Sequence, residues 1–286
     1  MVNNKNNGPV NKSLEGAIKK IFRRKEKINK GKIPMECVPV NKTIKRKTSD
    51  IVKPGVSIIV STNRKDALNN ILSNYIRQNY EKKELIIVIN NNDIELEKWN
   101  KKTENIKGVK VFKLDEKFSL GRCLNFGISK SKYEYIAKFD DDDYYGPKYI
   151  VDSLKKFKTI DAGLIGKQAI YVYFKEDNEL TLMSGHMEEK YTNFVSGSTM
   201  IFKKEIFNKV RFSDVSIAED VEFCRTCLRN RIKIYSGNKY HYLYIREHSE
   251  KDHTWQMKNE DIRKKYCKYV GNFPDIKKAT DYVLSN

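Results

Sequence analysis

Four consecutive aspartates, at residues 140–143, follow a short apolar run in the stretch YIAKFDDDDYYGP. Carboxylates packed this closely repel one another, and a divalent cation relieves the repulsion. Oxygen ligands of this kind suit Mg²⁺ or Mn²⁺, which usually bind one or two protein carboxylates and take phosphate oxygens as further ligands. A solvated acidic turn is the alternative, but the position of the cluster at the end of a predicted strand favours a site for a metal ion and a diphosphate.

A second acidic pair, Glu219 and Asp220, immediately precedes an apolar segment that predicts a helix, VEFCRTCLRN. Acidic residues at the N-terminus of a helix stabilise it by capping and by interaction with the helix dipole. Taken alone, the pair is best explained in that way. A carboxylate can also act as a general base, which a hydroxyl nucleophile requires because it attacks well only as its proton is removed.

From residue 54 to the aspartates, short apolar segments alternate with segments of helical periodicity. We predict strands at VSIIV, ELIIVI, VKVF and YEYIAKF, and helices at LNNILSNYI, ELEKWNKKTEN and LGRCLNFGI. This alternation is typical of an α/β fold with a mostly parallel central sheet flanked by helices. Ligands of such sheets bind outside the carboxyl ends of the strands. Because STNR, NNND and DDDD each follow a strand, we expect all three segments to line one crevice.

The 286-residue chain has a formal net charge of +19, but the charge is unevenly distributed. The first 53 residues contain 15 Lys and Arg against four acids. We therefore predict a basic N-terminal extension, with an amphipathic helix at about residues 13–29 and a linker at residues 30–53. Docking on its own domain is the favoured role of that helix, and peripheral contact with an anionic membrane or a partner is the second. We expect no nucleic-acid binding, because basic and aromatic residues do not interleave in a recognisable module.

The sequence contains no run of about 18 apolar residues, and its N-terminus lacks the apolar core of a signal peptide. With five scattered cysteines, these features predict a cytoplasmic protein with reduced thiols. Cys224 and Cys227 form a C-x-x-C motif, which can be redox-active or half of a zinc site. We favour two core residues on one face of a helix, since no second pair completes a zinc site.

The ordered motifs resemble those of family 2 glycosyltransferases, which are inverting enzymes with the GT-A fold. YIAKFDDDDYYGP is similar to the strand and D-x-D motif of that family, with Asp140 and Asp142 as its two aspartates. VSIIVSTNR, ELIIVINNND and SLGRCLNFGI resemble further family segments in the same order, although Asn90 and Asn91 stand where aspartates are usual. Glu219 and Asp220 match the acidic pair of the family. The resemblance covers about residues 54–250.

The resemblance also implies a role for each matched residue. The general base would be Asp220, beside Glu219, and the ligands of Mn²⁺ or Mg²⁺ would be Asp142, Asp140 and one of His248 and His253. The nucleotide-sugar would contact Thr62, Asn63, Arg64, Asn90, Asn91, Gly121, Arg122, Asn125, Asp140 and Asp141. Asp143 would support the loop, and Arg246 and Lys251 are candidates to neutralise the diphosphate.

The implied organisation is a basic extension (1–53), a GT-A domain (54–255) and a C-terminal helical tail (256–286). The implied reaction is metal-dependent, inverting transfer of a sugar from a nucleotide-sugar donor, a UDP-sugar, to an acceptor hydroxyl. The acceptor would be a cell-surface, cell-wall or spore-surface glycan, a lipid-linked molecule or a protein. Two alternatives remain. One is a nucleotidyltransferase, although STNRKD lacks a Gly-rich phosphate loop; the other is a catalytically degenerate scaffold, which Asn90, Leu124 and the basic extension motivate.

Overall fold

The computed structural model describes residues 53–247, 255 and 257–285. Several predictions concern residues outside these ranges. They are the helix at 13–29, nearly all of the linker at 30–53, and the candidate metal ligands His248 and His253. No described helix is long and apolar enough to cross a membrane. The longest have 11 residues, whereas a bilayer requires about 20.

The first half of the described chain forms the parallel part of a sheet, with the strand order β3-β2-β1-β4. Its strands are β1 (Val56–Thr62), β2 (Lys83–Ile89), β3 (Val109–Lys113) and β4 (Tyr135–Lys138). The connecting helices are α1 (Leu68–Arg77), α2 (Leu96–Thr103) and α3 (Leu120–Ser129). All seven elements lie where the sequence predicts them, because strands buried on both faces require continuous apolar segments.

Successive side chains of β1 pack on opposite faces of this sheet. Ile58 belongs to a core cluster that contains Ile71 and Tyr75 of α1, whereas Ile59 belongs to a second cluster that contains Leu124 of α3. Burial of one such isoleucine contributes about 1.5–3 kcal/mol. Helices therefore pack on both faces of the sheet, and this packing fixes the strands from which the polar turns at the carboxyl edge extend.

Beyond β4 the sheet becomes mixed. The four remaining strands of this sheet are β6 (Leu164–Gly166), β9 (Lys190–Thr192), β10 (Ile201–Lys203) and β11 (Ile234–Ser236). β10 runs antiparallel to both β4 and β6, while β11 runs parallel to β6 and antiparallel to β9. The predicted α/β architecture is confirmed, and the eight described strands of this sheet are parallel mainly in its first half.

A second sheet has the strand order β13-β8-β7-β12-β5. It consists of β5 (Tyr144–Tyr145), β7 (Ile170–Phe174), β8 (Glu179–Met183), β12 (Tyr242–Arg246) and β13 (Cys267–Asn272). Four further α-helices belong to the described fold, namely α4 (Tyr149–Thr159), α5 (Glu219–Arg229), α6 (Asn259–Tyr266) and α7 (Ile276–Leu284). The predicted helical tail thus contains α6 and α7, and it also contains a strand, because β13 lies between them and pairs antiparallel with β8.

Arg246, at the end of β12, is fully buried. Its guanidinium donates to Asn259 Oδ1 at 2.9 Å, to the Tyr244 hydroxyl at 3.0 Å, and to the carbonyls of Trp255 and Met257 at 3.0 and 2.9 Å. The hypothesis that Arg246 neutralises a diphosphate is therefore wrong. Its donors instead bind Trp255, Met257 and Asn259 to the end of β12.

We expect Arg246→Met to lower the free energy of unfolding by at least about 3 kcal/mol, because each buried acceptor left unpaired costs about 1–3 kcal/mol. Urea unfolding followed by circular dichroism measures the change. Lys175→Met is the control, since Lys175 makes a half-exposed ion pair with Glu247, and such pairs contribute about 0–1 kcal/mol. Equal stability of the two variants would contradict the anchoring role of Arg246.

Candidate active site

The polar turns after β1, β2 and β4 meet at one edge of the parallel sheet, as the sequence predicts. The Asn90 N–H donates to the Thr62 carbonyl at 2.7 Å, and the Asn91 side-chain amide donates to the Asn63 carbonyl at 2.8 Å. The Thr62 hydroxyl donates to the carboxylate of Asp141. The end of β1 is thus bonded to the turns on both of its neighbours, and the three segments form one surface.

Arg64 joins the first turn to the aspartates. Its Nη1 atom lies 2.8 Å from Asp141 Oδ1 and 2.7 Å from Asp142 Oδ2. The Arg64 N–H donates to the Thr62 hydroxyl at 3.1 Å, so the backbone of the turn is fixed close to the aspartates. Burial by itself lowers the pKa of Arg64, but the charges of Asp142 and Asp141 outweigh it and raise the pKa. The guanidinium therefore stays charged against both carboxylates.

The aspartates repel one another despite this cation. Burial, followed by the charge of Asp142, raises the pKa of Asp141 to about 6, against the opposing effect of Arg64. Burial also raises the pKa of Asp142, and the charge of Asp140 adds to this effect. Because the ionised forms are disfavoured, additional positive charge at this position would stabilise them.

Asp143 has a structural role, in agreement with the prediction that it supports the loop. Its buried carboxylate accepts from the Tyr242 hydroxyl at 2.5 Å and from the Ile245 N–H at 3.1 Å. Its carbonyl accepts from the side-chain amides of Asn70 and Asn74 at 3.0 and 2.8 Å. The last of the four aspartates is therefore bonded to β12 and α1, and this anchorage orients the other three.

Lys138, the last residue of β4, was not singled out from the sequence. Its side chain is 4% exposed, and its Nζ lies 2.5 Å from Asp140 Oδ1. Burial alone would lower the pKa of Lys138, but the charges of Asp140 and Glu219 outweigh it and raise the pKa. The available signal was a lysine inside an otherwise apolar strand, because such a position demands a buried partner of opposite charge.

Glu219 and Asp220 form the first turn of α5. Burial, followed by the charge of Asp220, raises the pKa of Glu219 to about 7, and the charge of Lys138 opposes this rise. Burial likewise raises the pKa of Asp220, again against Lys138. The residue before the pair, Ala218, has φ of 64°. A non-glycine residue in this region is strained, and such strain is often found at functional sites.

Gly197 allows Asp220 its position. A Cβ at residue 197 would lie 2.6 Å from Asp220 Oδ2 and 2.7 Å from its Cβ. One oxygen of Asp220 accepts from the first-turn Val221 N–H at 2.7 Å, so stabilisation of the helix N-terminus accounts for that oxygen, although the N-cap itself is Ala218. The second oxygen points toward the segment that contains Gly197.

Gly121 and Asn125 contact the segment that leads to the acidic pair. The Gly121 N–H donates to the Val215 carbonyl at 3.1 Å. The Asn125 side chain donates to the Phe212 carbonyl at 2.8 Å and accepts from the Phe212 N–H at 3.0 Å. These described contacts position residues 212–215 and thereby the approach to α5.

Arg122, the neighbour of Gly121, is exposed and faces the same segment. Its guanidinium lies 4.1 Å from the centroid of the Phe118 ring, and its Nη1 lies 4.0 Å from Asp214 Oδ2. These contacts of Arg122 are therefore made to Phe118, just before α3, and to Asp214, in the segment before α5.

Gly121→Ala tests that positioning. A Cβ at residue 121 would lie 1.8 Å from the Ser213 carbonyl oxygen, so α3 or residues 212–215 must move. We expect stability to fall by about 1–3 kcal/mol, as in overpacked cores, and the rate of the reaction that depends on Asp220 to fall at least tenfold (about 1.4 kcal/mol in the barrier). Thermal unfolding and initial rates measure both, with Ser129→Ala on the exposed side of α3 as control. Wild-type rates in the Gly121 variant would refute the role.

The cysteines of the C-x-x-C motif are buried core residues of α5, as favoured from the sequence. Burial raises the pKa of Cys227 to about 12. A thiol with so high a pKa is almost entirely protonated at neutral pH and is neither a good nucleophile nor a good metal ligand. The motif therefore contributes to packing against Phe223 and its neighbours.

No group of three or more His, Cys, Asp or Glu side chains is arranged to hold a metal ion among residues 53–247, 255 and 257–285. Asp140 and Asp142 nevertheless suit one, because their partly exposed carboxylates (39% and 22%) offer oxygen ligands. Mg²⁺ and Mn²⁺ typically need only one or two protein carboxylates when a substrate phosphate supplies further ligands. The donor set thus fits a metal ion that binds together with a diphosphate.

Two solved structures share the fold of this chain. The chain is similar to two crystal structures of S. aureus TarS 1–349, one of them in complex with UDP-GlcNAc. The TM-scores are 0.52 and 0.55 at 19% and 18% identity, over 67% of this chain and 60% and 58% of the TarS chains. At such identities the likeness concerns the fold, which is the GT-A fold of glycosyltransferases.

Sequence relatives agree with this class. The chain is 28% identical to the O-antigen biosynthesis glycosyltransferase WbnJ of Escherichia coli, over 54% of this chain and 64% of WbnJ. It is 27% identical to the poly-beta-1,6-N-acetyl-D-glucosamine synthase of Staphylococcus aureus strain MSSA476, over 58% of this chain and 44% of the synthase. The chain thus covers less than two thirds of the length of either relative.

The family model of glycosyl transferase family 2 matches residues 57–225, more than half of the chain. The matched region begins in β1 and ends in α5, and so contains the aspartates and the acidic pair. The protein belongs to glycosyl transferase family 2.

Proposed function

We propose that this glycosyltransferase transfers a sugar from a UDP-sugar to an acceptor hydroxyl, with a divalent metal ion and with inversion at the anomeric carbon. The observation that carries the proposal is the single polar surface formed by the turns after β1, β2 and β4. Lys138 pairs with Asp140 in this surface and also interacts electrostatically with Glu219 and Asp220. A donor bound at the aspartates would lie beside a carboxylate able to accept a proton.

In this proposal the donor half of the site is built from the aspartates and the turns beside them. Asp142 and Asp140 would hold Mn²⁺ or Mg²⁺, which when bound neutralises the diphosphate that departs with the nucleoside. Thr62, Asn63 and Arg64 would line the diphosphate side. The amides of Asn90 and Asn91 both donate to backbone carbonyls, which leaves part of their oxygen-acceptor capacity available to a base edge.

The acceptor half of the proposal depends on Asp220. Its carboxylate would take the proton of the acceptor hydroxyl as that oxygen attacks the anomeric carbon from the face opposite the diphosphate, which gives inversion. Proton removal in the transition state contributes about 10²–10⁴-fold to rate. Glu219, whose raised pKa leaves it partly protonated near pH 7, would orient the acceptor rather than receive its proton.

The relatives support a class of substrates. A synthase of poly-beta-1,6-N-acetyl-D-glucosamine and an O-antigen biosynthesis enzyme are among them, and one similar structure contains UDP-GlcNAc. We therefore infer a UDP-N-acetylhexosamine donor and a glycan acceptor of the cell wall, cell surface or spore surface, used on the cytoplasmic side. Peripheral membrane contact through residues 13–29 belongs to the same proposal.

A donor screen tests the proposal. The purified full-length chain is mixed with Mn²⁺ and a panel of nucleotide-sugars, and release of the nucleoside diphosphate is measured. We expect UDP-GlcNAc or a close analogue to be turned over, with Mg²⁺ also active and with chelation by EDTA abolishing release. A folded protein that turns over no donor would count against the proposal and would favour the scaffold alternative.

Asp142→Asn should lower UDP release at least 100-fold, because an amide replaces the charged oxygen that the metal ion requires. Asp93→Asn is the matched control, since that exposed carboxylate pairs with Lys65 on the surface; it should retain the wild-type rate. If Asp142→Asn kept full metal-dependent turnover, the assignment of the metal ligand would be incorrect.

A nucleotidyltransferase would use different substrates and release a different product in such an assay. Such an enzyme needs a nucleoside triphosphate and a sugar phosphate, and it releases inorganic diphosphate. The turn after β1, STNRKD, contains no glycine, whereas loops that cradle a triphosphate commonly use several. Inorganic diphosphate release without nucleoside diphosphate release would establish this alternative.

A further inference from the structure

Arg64 occupies a position that a metal ion would also seek. A single nitrogen, Nη1, lies within 2.8 Å of both Asp141 Oδ1 and Asp142 Oδ2. A cation that bridges two carboxylates in this way neutralises part of the negative charge that a divalent ion would otherwise neutralise. The side chain is 31% exposed, so it belongs to the open part of the site rather than to the core.

Arg64 and Lys138 are the cations paired with Asp140, Asp141 and Asp142. Asp143 is satisfied separately by Tyr242 and Ile245. A divalent ion bound to Asp142 would place two positive charges beside the Arg64 guanidinium and repel it. The two or three negative charges of a nucleoside diphosphate would offset this repulsion and would provide a new acceptor for the guanidinium.

We propose that Arg64 is an exchangeable cation, which bridges Asp141 and Asp142 in the empty enzyme and moves to the diphosphate when a divalent ion binds Asp142. The inference rests on the proposed function, because it concerns the metal ion and the diphosphate of the same site. Its consequence is that the metal ion alone competes with Arg64, whereas the metal ion together with the diphosphate does not. Arg64 thereby suppresses metal binding in the absence of donor.

The geometry permits this exchange with little backbone movement. Arg64 lies in the turn between β1 and α1, and its N–H is held by the Thr62 hydroxyl. The Thr62 hydroxyl also donates to Asp141, so Asp141 keeps a partner when the guanidinium leaves. Long arginine side chains can change rotamer without disturbing such an anchor, and their planar groups bind phosphate in the same way as carboxylate.

Metal binding without donor tests the proposal. Mn²⁺ affinity is measured by electron paramagnetic resonance of the free ion for the wild type, Arg64→Gln and Lys65→Gln, with no nucleotide present. We expect Arg64→Gln to bind Mn²⁺ about tenfold more tightly (a difference of about 1.4 kcal/mol), because the competing cation is gone. Lys65→Gln removes the same charge one residue away, from an ion pair with Asp93, and should change the affinity less than twofold.

Nucleotide binding supplies the second measurement. UDP affinity is measured by calorimetry in the presence of saturating Mn²⁺, and we expect Arg64→Gln to bind UDP at least tenfold more weakly than the wild type and Lys65→Gln. Circular dichroism and thermal unfolding confirm that each variant is folded. Arg64→Lys, which keeps the charge but not the planar fork, should fall between the two in both measurements.

The possible outcomes separate the two proposals. Equal or weaker Mn²⁺ binding by folded Arg64→Gln would overturn the exchange while leaving the proposed transfer reaction intact. Unchanged UDP affinity in that variant would also overturn it, because the guanidinium would then have no role at the diphosphate. If neither the wild type nor Arg64→Gln bound Mn²⁺ at millimolar concentration without nucleotide, the exchange would be overturned. The metal-dependent reaction would be refuted only if Mn²⁺ also failed to strengthen UDP binding by the wild type.

Discussion

Asp220→Asn should lower the rate of sugar transfer to an acceptor by about 10²–10⁴-fold, the range that a general base typically contributes. Asparagine keeps the size of the side chain and can still accept from the Val221 N–H, so the fold at the start of α5 is retained. It cannot take the proton of the hydroxyl. UDP-sugar affinity should change less than threefold, because the donor half lies at the aspartates.

Glu219→Gln is the matched comparison, since Glu219 is the adjacent acid in the same turn. We expect a loss of tenfold or less in that variant. Product formation is followed by mass spectrometry of the acceptor, and donor binding by calorimetry. A larger loss in Glu219→Gln than in Asp220→Asn would transfer the role of base to Glu219.

The pH dependence of transfer has a definite sign. The base acts only when it is deprotonated, so the rate should rise with pH on the acidic side. The structure raises the pKa of Asp220 by burial, and the acidic limb should therefore lie above the pH expected from an ordinary aspartate. Because Lys138 opposes that rise, the position of the limb reports directly on this lysine.

Lys138→Met should move the acidic limb of the transfer rate to higher pH by about one unit or more and lower the rate at pH 7 at least tenfold. Methionine resembles lysine in length but removes the buried charge that Asp140, Glu219 and Asp220 share. The mutual repulsion of the carboxylates then increases, and the pKa of the base rises further because Lys138 no longer opposes the effect of burial. Initial rates from pH 5 to pH 9 measure the change.

Two controls make the Lys138 experiment interpretable. Lys138→Arg keeps the charge and should restore the limb to near its wild-type position. Thermal unfolding at pH 7 checks the fold, since a buried site that loses its cation is expected to lose stability. An unchanged limb in folded Lys138→Met would mean that the lysine does not influence the base.

Much of the parallel half of the fold was predictable. Strands buried on both faces leave short apolar runs, and the intervening helices leave a periodicity of about 3.6 residues. The segments around Val56, Leu85 and Ile136 can therefore be recognised as strands from the sequence. The meeting of the three polar turns also follows, because the carboxyl ends of neighbouring parallel strands lie at one edge of the sheet.

The parts that were not predictable depend on contacts between distant segments. Arg246 looks like a surface residue in a charged loop, and only its contacts with Trp255, Met257 and Asn259 show that it is buried. Gly121 and Asn125 bond to Val215 and Phe212, about 90 positions further along the chain, which no local pattern reveals. Strand β13 was missed for the same reason, since its sequence, CKYVGN, is only partly buried and its partner β8 lies far away in sequence.

The strand order has a consequence for modularity. The region matched by the family model ends at residue 225, yet β11 lies between β6 and β9 in the first sheet, and β12 lies between β7 and β5 in the second. A fragment that ends at residue 225 would lack an interior strand in each sheet, and the backbone groups of the neighbouring strands would be left unpaired. It would also remove Tyr242 and Ile245, the partners of Asp143. The region matched by the family model is thus not an autonomous folding unit: β11 and β12, which follow it, are required for the aspartates to keep their positions.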